Sequence, residues 1–280
     1  MLNNIGLGPM GNINFNPAPP PPPWNITGMA YSGLSFDPTA QVSGATFFDI
    51  SSDGTKFYIR DGASPDTIYE YLLAMPYDIS SAVYTGKNGD TTGVSTIGRF
   101  KLSTDGNSVY GVGVAPQEVK QFPLGTPFDI STVAGVTNTL TIQTSGNLSG
   151  LAFGEVGKRL YMIGAFGSVD QYDISVAWDL STATWLQTLA PGVFTSTVDG
   201  MAISPDGQTI ITSDHVSEAV DTYTLGTPWD ISTATHAAAI GTLHPQISFS
   251  DAYDIAVSHD GTKLYTMDGA SSAVFEFTLT

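Results

Sequence analysis

Four aspartates in strand-like segments are the side chains best placed for acid and base chemistry. Two carboxylates that flank a glycosidic bond can hydrolyse it, one as the acid and the other as base or nucleophile. The chain has only five glutamates, and none falls in a predicted inner strand. A glycosidase is therefore disfavoured, and we expect a non-enzymatic protein with no catalytic residues. The aspartates are Asp49, Asp199, Asp251 and Asp254, of which the last three are the candidate channel carboxylates.

Motifs for metals, cofactors and covalent catalysis are missing from the sequence. Because there is no cysteine, zinc–thiolate sites, iron–sulfur clusters and cysteine nucleophiles are excluded. The four histidines are scattered, and no phosphate-binding loop, dinucleotide fingerprint or nucleophile elbow occurs in a strand-to-helix context. An Asp-x-Asp-x-Asp calcium loop is missing too. The sequence therefore predicts no cofactor and no metal.

Composition restricts the partners of the chain. Its 280 residues include 26 Asp and Glu but only 9 Lys and Arg, so the formal net charge is −17. This balance opposes binding to nucleic acid and to anionic lipid, and a hydrophobic fraction of 41% predicts a folded chain. No apolar stretch approaches the roughly 20 residues that cross a bilayer, and residues 1–11 lack the features of a signal peptide. We expect no membrane insertion and no secretion signal.

A short phrase recurs along the chain with a period near 51 residues. Each copy places an aromatic residue before Asp, an aliphatic residue and Ser, with the aromatic residue at positions 77, 128, 178 and 229. A second phrase, an Asp-Gly-type turn, occurs five times, at positions 53–54, 105–106, 156–157, 206–207 and 260–261. The turns thus outnumber the aromatic phrases by one.

The fifth aromatic phrase lies at the other end of the chain. Residues 22–27 read Pro-Pro-Trp-Asn-Ile-Thr, and the C-terminal Phe-Thr-Leu-Thr matches the Tyr-Thr-Leu-Gly that precedes the phrase at position 229. The repeat array is therefore circular, because the N-terminus supplies the part that the C-terminus leaves open. Residues 24–280 then divide into five units of about 51.

Each unit contains four short β-rich runs separated by Gly, Asp, Pro and Ser turns, and no useful segment has a helical period. Four strands in a unit of this length are typical of a propeller blade. We predict an all-β, five-bladed β-propeller of four-stranded antiparallel blades, closed by an N-terminal strand that completes the last blade. A parallel β-helix is the rival, but its repeats are shorter and need no circular completion.

The aromatic residues of the phrase have a structural interpretation. Proline places the phrase in the connection between the third and fourth strands, the aromatic ring packs against a neighbouring blade, and Asp and Ser cap a local turn. Recurrence in every blade favours packing over a unique active site. These blade-motif residues are Trp24, Tyr77, Phe128, Trp178 and Trp229.

Residues 1–23 form a separate region. They contain scattered glycines and then a run of five prolines, which predicts a stiff polyproline II spacer. The segment before the spacer is too short to fold alone, so it is either a frayed tail or an anchor that orders on a partner; we favour the anchor. Its apolar contact residues would be Leu2, Ile5, Leu7, Met10, Ile13 and Phe15.

The run Ser-x-Asp-Gly-Thr-Lys-x-Tyr at positions 52–58 and the run Pro-Trp-Asp-Ile-Ser-Thr-Ala at 228–234 resemble propeller repeats in virion proteins of tailed bacteriophages. The resemblance covers all five units but not residues 1–23. It implies a virion structural protein, a head decoration or tail module that is assembled in the host cytoplasm. Residues 1–23 would bind capsid or tail proteins, and the propeller would face outward toward a host surface glycan. A glycan-binding lectin and a glycosidase are the alternatives.

Overall fold

The computed structural model describes residues 24–62, 66–91, 97–114, 116–143, 148–195, 197–214, 216–217, 219–240 and 252–279. Residues 1–23, and with them the six predicted anchor residues, lie outside this set. The described chain forms five four-stranded antiparallel sheets, each strand pairing with its neighbour in the blade. The innermost strands of adjacent sheets contact each other, so the five innermost strands surround a central channel. The predicted five-bladed propeller is confirmed.

Four blades follow the chain in order, from the innermost strand to the outermost. Alternation of apolar and polar residues and the Gly-rich turns between runs account for their hairpins. Blade 1 consists of β2 (Ala45–Ile50), β3 (Lys56–Asp61), β4 (Thr67–Leu73) and β5 (Ala82–Asp90), and blade 2 of β6 (Ile97–Leu102), β7 (Ser108–Val114), β8 (Gln117–Pro123) and β9 (Asn138–Thr141). Blade 3 consists of β10 (Gly150–Gly154), β11 (Arg159–Ile163), β12 (Val169–Ile174) and β13 (Ala183–Leu189), and blade 4 of β14 (Val198–Ile203), β15 (Thr209–Asp214), β16 (Ala219–Leu225) and β17 (Ala234–Ile240).

Blade 5 is built from both ends of the chain. Its inner strands are β18 (Ala252–Val257), β19 (Lys263–Asp268) and β20 (Val274–Thr278), and its outer strand is β1 (Ala30–Phe36). Strand β1 pairs antiparallel with β20, and Tyr31 lies opposite Phe277. This pairing confirms the predicted circular closure, which leaves the third strand of the last blade without a free edge.

Short 3₁₀ turns connect the third and fourth strands. In blade 4 the Asp230 carboxylate accepts hydrogen bonds from the Ser232 backbone N–H, at 3.0 Å, and from its hydroxyl, at 2.6 Å. At the N-terminus, Asn25 accepts the equivalent bonds from Thr27. In blades 1 to 4 these turns are Ile79–Ser81, Ile130–Thr132, Leu180–Thr182 and Ile231–Thr233. Two further 3₁₀ turns lie in blade 3, Glu155–Gly157 between its first and second strands and Ala165–Gly167 between its second and third strands.

Neighbouring blades are joined by a hydrogen bond from a buried tyrosine hydroxyl to a backbone carbonyl of the next blade, and we call this bond the blade latch. In blade 1 the Tyr58 hydroxyl donates to the backbone carbonyl of Phe128 in blade 2, at 2.7 Å. Tyr161 of blade 3 donates likewise to Trp229 of blade 4, at 2.8 Å. Burial raises the pKa of both hydroxyls, so they stay protonated donors. Tyr110 and Tyr265 form the same bond at two further junctions.

The blade latch should contribute measurably to stability. We expect Tyr161→Phe to lower the free energy of unfolding by about 1 kcal/mol, since it removes one buried hydrogen bond without changing shape. Urea unfolding measures the loss. Tyr84→Phe, on an outer strand, removes a hydroxyl with no role in the latch and is the matched control. Equal losses in the two variants would contradict the latch.

Candidate functional site

The inner strands direct two residues from each blade toward the channel, because alternate residues of a strand face the same side. The first layer, nearer the start of the strands, consists of Phe47, Arg99, Gly150, Gly200 and Asp254. The second layer lies two residues further along each strand and consists of Asp49, Lys101, Ala152, Ala202 and Ala256.

Arg99 crosses the channel in the first layer. Its Nη2 lies 3.1 Å from Oδ1 of Asp199, and its Nη1 donates to the Asp199 backbone carbonyl. These two residues belong to blades 2 and 4, which are not neighbours in the ring. A Cβ on Gly150 would come within 3.1 Å of the Asp199 carbonyl that accepts this bond, so a larger residue there would crowd the crossing. The guanidinium also lies over the Phe47 ring, 4.7 Å from its centroid, a favourable cation–π geometry. The first layer is therefore filled by a buried, paired cation.

Two channel carboxylates bind the backbone of the next blade. Asp254 Oδ2 accepts from the Phe48 N–H at 3.2 Å, and Asp49 Oδ2 accepts from the Leu102 N–H at 2.8 Å. Inner strands of adjacent blades belong to different sheets. The hydrogen bonds within each sheet do not pair these two amides, so each needs another acceptor. The carboxylates supply it and connect blade 5 to blade 1 and blade 1 to blade 2.

Asp49 also forms a buried ion pair with Lys101. Lys101 Nζ lies 3.2 Å from Asp49 Oδ1, and the two side chains are 15% and 11% exposed. Burial raises the pKa of Asp49, and the negative charge of Asp254 raises it further. For Lys101, burial alone would lower the pKa, but the charges of Asp49 and Asp254 outweigh it and raise the pKa above its usual value. The pair thus combines a carboxylate that binds a proton more readily than usual with a persistent cation.

A cavity of about 280 Å³ extends from the second layer toward the turns at the ends of the inner strands. Asp49 and Lys101, from blades 1 and 2, form what we call its charged wall. Blades 3, 4 and 5 contribute only alanine at the second layer, which leaves space on their side. These three alanines and three indoles form the apolar wall, which comprises Ala152, Ala202, Ala256, Trp24, Trp178 and Trp229.

The indole of Trp229 is positioned by an unusual backbone conformation. The backbone φ of Trp229 is +66°, in the left-handed region that bulky residues rarely adopt, and its backbone N–H donates to the Gly207 carbonyl at 3.0 Å. A Cβ on Gly207 would come within 2.3 Å of the indole, so the ring can pack there only over glycine. Tyr77, Phe128 and Trp178 share this positive φ. In blades 1 to 4 the repeated phrase thus fixes an aromatic ring against the first turn of the blade.

The predicted residues have different locations in the structure. Asp199 and Asp254 lie in the channel, but both are bound to other blades, Asp199 to Arg99 of blade 2 and Asp254 to the backbone of blade 1, and neither lines the cavity. Asp251 lies outside the described residues. Of the five blade-motif aromatics, Trp24, Trp178 and Trp229 line the cavity, and Tyr77 and Phe128 do not.

Sequence reasoning missed Lys101 and did not select Asp49. The signal was available, because each lies four residues before its turn, where the other three blades have alanine. A carboxylate and an ammonium at a repeat position that is otherwise alanine indicate that these two residues do more than pack.

Within the described part of the chain, no group of three or more His, Asp or Glu side chains is arranged to hold a metal ion. None of the described helices is long and apolar enough to cross a lipid bilayer.

Comparison with solved structures finds other propellers. A candidate 6-phosphogluconolactonase from Bacteroides uniformis aligns with a TM-score of 0.50 and 15% identity, over 80% of this chain and 64% of that one. A candidate 6-phosphogluconolactonase from Bacteroides fragilis aligns at 0.49 and 12%, over 84% and 71%, and a Lactobacillus plantarum protein at 0.49 and 17%, over 80% and 63%. The chain therefore spans about two thirds of these proteins. No family model and no curated protein matches its sequence.

These comparisons contradict the expected function. The Bacteroides uniformis propeller is described as a lactonase, which is an enzyme and not a component of a virion. The expectations of a virion structural protein and of a non-enzymatic chain are therefore wrong. At 15% identity the likeness itself establishes only the fold. The partner expected for residues 1–23 stays a prediction, since those residues are not described.

The buried ion pair should be costly to break. We expect Lys101→Met to lower the free energy of unfolding by about 3 kcal/mol, because it leaves the Asp49 carboxylate buried without its cation. Adding Asp49→Asn should recover part of the loss. Lys87→Met, which breaks the more exposed Lys87–Asp129 pair, is the matched control and should change stability little. Urea unfolding of the wild type and the three variants tests this; a Lys101→Met variant as stable as the control would contradict it.

Proposed function

We propose that the chain is an enzyme that hydrolyses a lactone, a cyclic ester, in the cavity at the end of the channel. The observation that carries the proposal is the buried Asp49–Lys101 pair on the charged wall. A base beside a fixed cation is what ester hydrolysis requires. The candidate lactonase from Bacteroides uniformis, which has the same kind of fold, supports this reaction class.

The other buried lysine–carboxylate pairs have a structural role. Lys56 pairs with Glu70 at 3.1 Å, but the lysine also donates to the Phe128 carbonyl and the glutamate accepts from the Ile130 N–H. Both residues thus bind the next blade, and neither lines the cavity. Among the described residues, the Asp49–Lys101 pair alone has both members on the cavity wall.

In this mechanism Asp49 is the general base. Its Oδ2 is held by the Leu102 N–H, which fixes the carboxylate plane and leaves Oδ1 toward Lys101. As water attacks the lactone carbonyl carbon, Asp49 takes one proton from it. The raised pKa suits this role, because a carboxylate with higher proton affinity is a stronger base at neutral pH.

Lys101 stabilises the charge that develops on the carbonyl oxygen. Its ammonium donates to that oxygen as the tetrahedral intermediate forms, and the low-dielectric cavity strengthens the interaction. Collapse of the intermediate breaks the ring C–O bond, and the proton held by Asp49 passes to the leaving alkoxide. The product is the open-chain hydroxy acid, and the Asp49 carboxylate is regenerated.

Loss of the base should abolish most of the activity. We expect Asp49→Asn to lower kcat/KM for lactone hydrolysis by about 10² to 10⁴-fold, while the amide oxygen can still accept from the Leu102 N–H. Asp129→Asn, a matched change at a residue that does not line the cavity, should leave the rate unchanged. Release of acid from D-glucono-δ-lactone, followed with a pH indicator above the spontaneous rate, is the measurement. An Asp49→Asn enzyme as active as wild type would refute the proposal.

The pH dependence of kcat/KM should reflect the charges that surround Asp49 in the channel. Activity requires ionised Asp49, so kcat/KM should fall as pH decreases through its raised pKa. Asp254→Asn removes a negative charge that raises this pKa, so the acidic limb should move to lower pH. An acidic limb that stays in place, or moves to higher pH, would exclude Asp49 as the titrating base. Asp129→Asn serves as the control with an unshifted limb.

A further inference from the structure

We infer that the substrate is an uncharged sugar lactone, bound as a single ring against the apolar wall, and that phosphorylated sugars are excluded. The inference rests on the proposed lactone hydrolysis, and it departs from the phosphorylated substrate in the description of the similar Bacteroides structures. Two independent observations carry it, namely the pairing of the cations and the composition of the apolar wall.

Nearly all lysine and arginine side chains of the protein are paired with carboxylates. Eight of the nine Lys and Arg side chains form ion pairs, and the ninth, Lys158, is exposed and does not line the cavity. The ion pairs involve Lys56, Arg60, Lys87, Arg99, Lys101, Lys120, Arg159 and Lys263. Phosphate recognition normally uses an Arg or Lys free to bind it.

The charges on the cavity wall do not favour an anion. Lys101 is balanced by Asp49, and Glu155 adds a further carboxylate. His259, which also lines the cavity, is exposed at its rim. A phosphate dianion would therefore enter a site with no net positive charge and would lose its hydration without compensation.

The apolar wall suits the ring of a sugar. Three indoles and three alanines line this side of the cavity. The C–H groups of a sugar ring carry partial positive charge, so they can pack on the negative face of an indole. At about 280 Å³ the cavity is at the small end of ligand pockets, which favours one ring over an oligosaccharide.

Binding can be measured apart from hydrolysis. Three of the four tryptophans line the cavity, so a ligand there should change the intrinsic fluorescence. The probes are D-glucono-δ-lactam, an unreactive amide analogue of the lactone, and its 6-phosphate. We expect the phosphate to bind at least about tenfold more weakly, a difference of about 1.4 kcal/mol.

Two variants locate the binding site. Trp229→Phe reproduces the phenylalanine that blade 2 has at the same repeat position, so the fold should tolerate it, and it should weaken lactam binding. Trp185→Phe is the matched control, because Trp185 is exposed on outer strand β13 and does not line the cavity. It should leave the affinity unchanged.

The lactam binding measurements test the inference about the substrate, and they do so independently of the test of the proposed function. Equal or tighter binding of the 6-phosphate, or failure of both lactams to bind, would overturn it. Loss of affinity in Trp185→Phe but not in Trp229→Phe would do the same. Hydrolysis of D-glucono-δ-lactone that depends on Asp49 tests the proposed function on its own, whatever the lactams show.

Discussion

The blade latch is the interaction on which the shape of the channel depends. Propeller blades are separate sheets, so the backbone ladders that stabilise each blade do nothing to hold the ring together. Here a tyrosine on the second strand of one blade donates to the carbonyl of the aromatic residue in the next, as Tyr58 does to Phe128. That carbonyl accepts a second bond from a long polar side chain, Lys56 in this case. Apolar side chains pack around these bonds and fix the inner strands at the spacing that forms the cavity.

The junction between blades 4 and 5 lacks the latch. Where the other blades have tyrosine, blade 4 has Ile211, and this residue packs with Trp24 and Ile26 in an apolar cluster. The aromatic residue of this junction comes from the N-terminus, so the closing segment is held by burial of apolar area and by the pairing of β1 with β20. Hydrophobic contacts tolerate small changes in position better than a directional bond, which suits a blade assembled from the two ends of the chain.

The sequence predicts the fold better than the site because the two depend on different kinds of information. The strand period and the turns repeat five times, so each copy supports the others, and the circular offset at the two ends of the chain closes the array. The site lies where the repeats differ, at Asp49 and Lys101, and its wall is assembled from all five blades. The crossing of Arg99 to Asp199 joins strands 100 residues apart, and no local pattern indicates it. The virion expectation failed for a related reason, since the repeated motif encodes the construction of a blade, which is compatible with many functions.

The differences between the blades also explain how a symmetric frame can hold one asymmetric site. Alanine at three second-layer positions creates space, while Asp49 and Lys101 at the other two place opposite charges beside it. Five identical blades would produce either an empty apolar channel or a ring of like charges that repel one another. Arg99 reaches across from blade 2 to Asp199 of blade 4 and fills the channel next to the cavity. The acidic chain has only nine cations, and two of them lie on β6, each paired with a carboxylate, so that Lys101 can face the cavity without giving it a net positive charge.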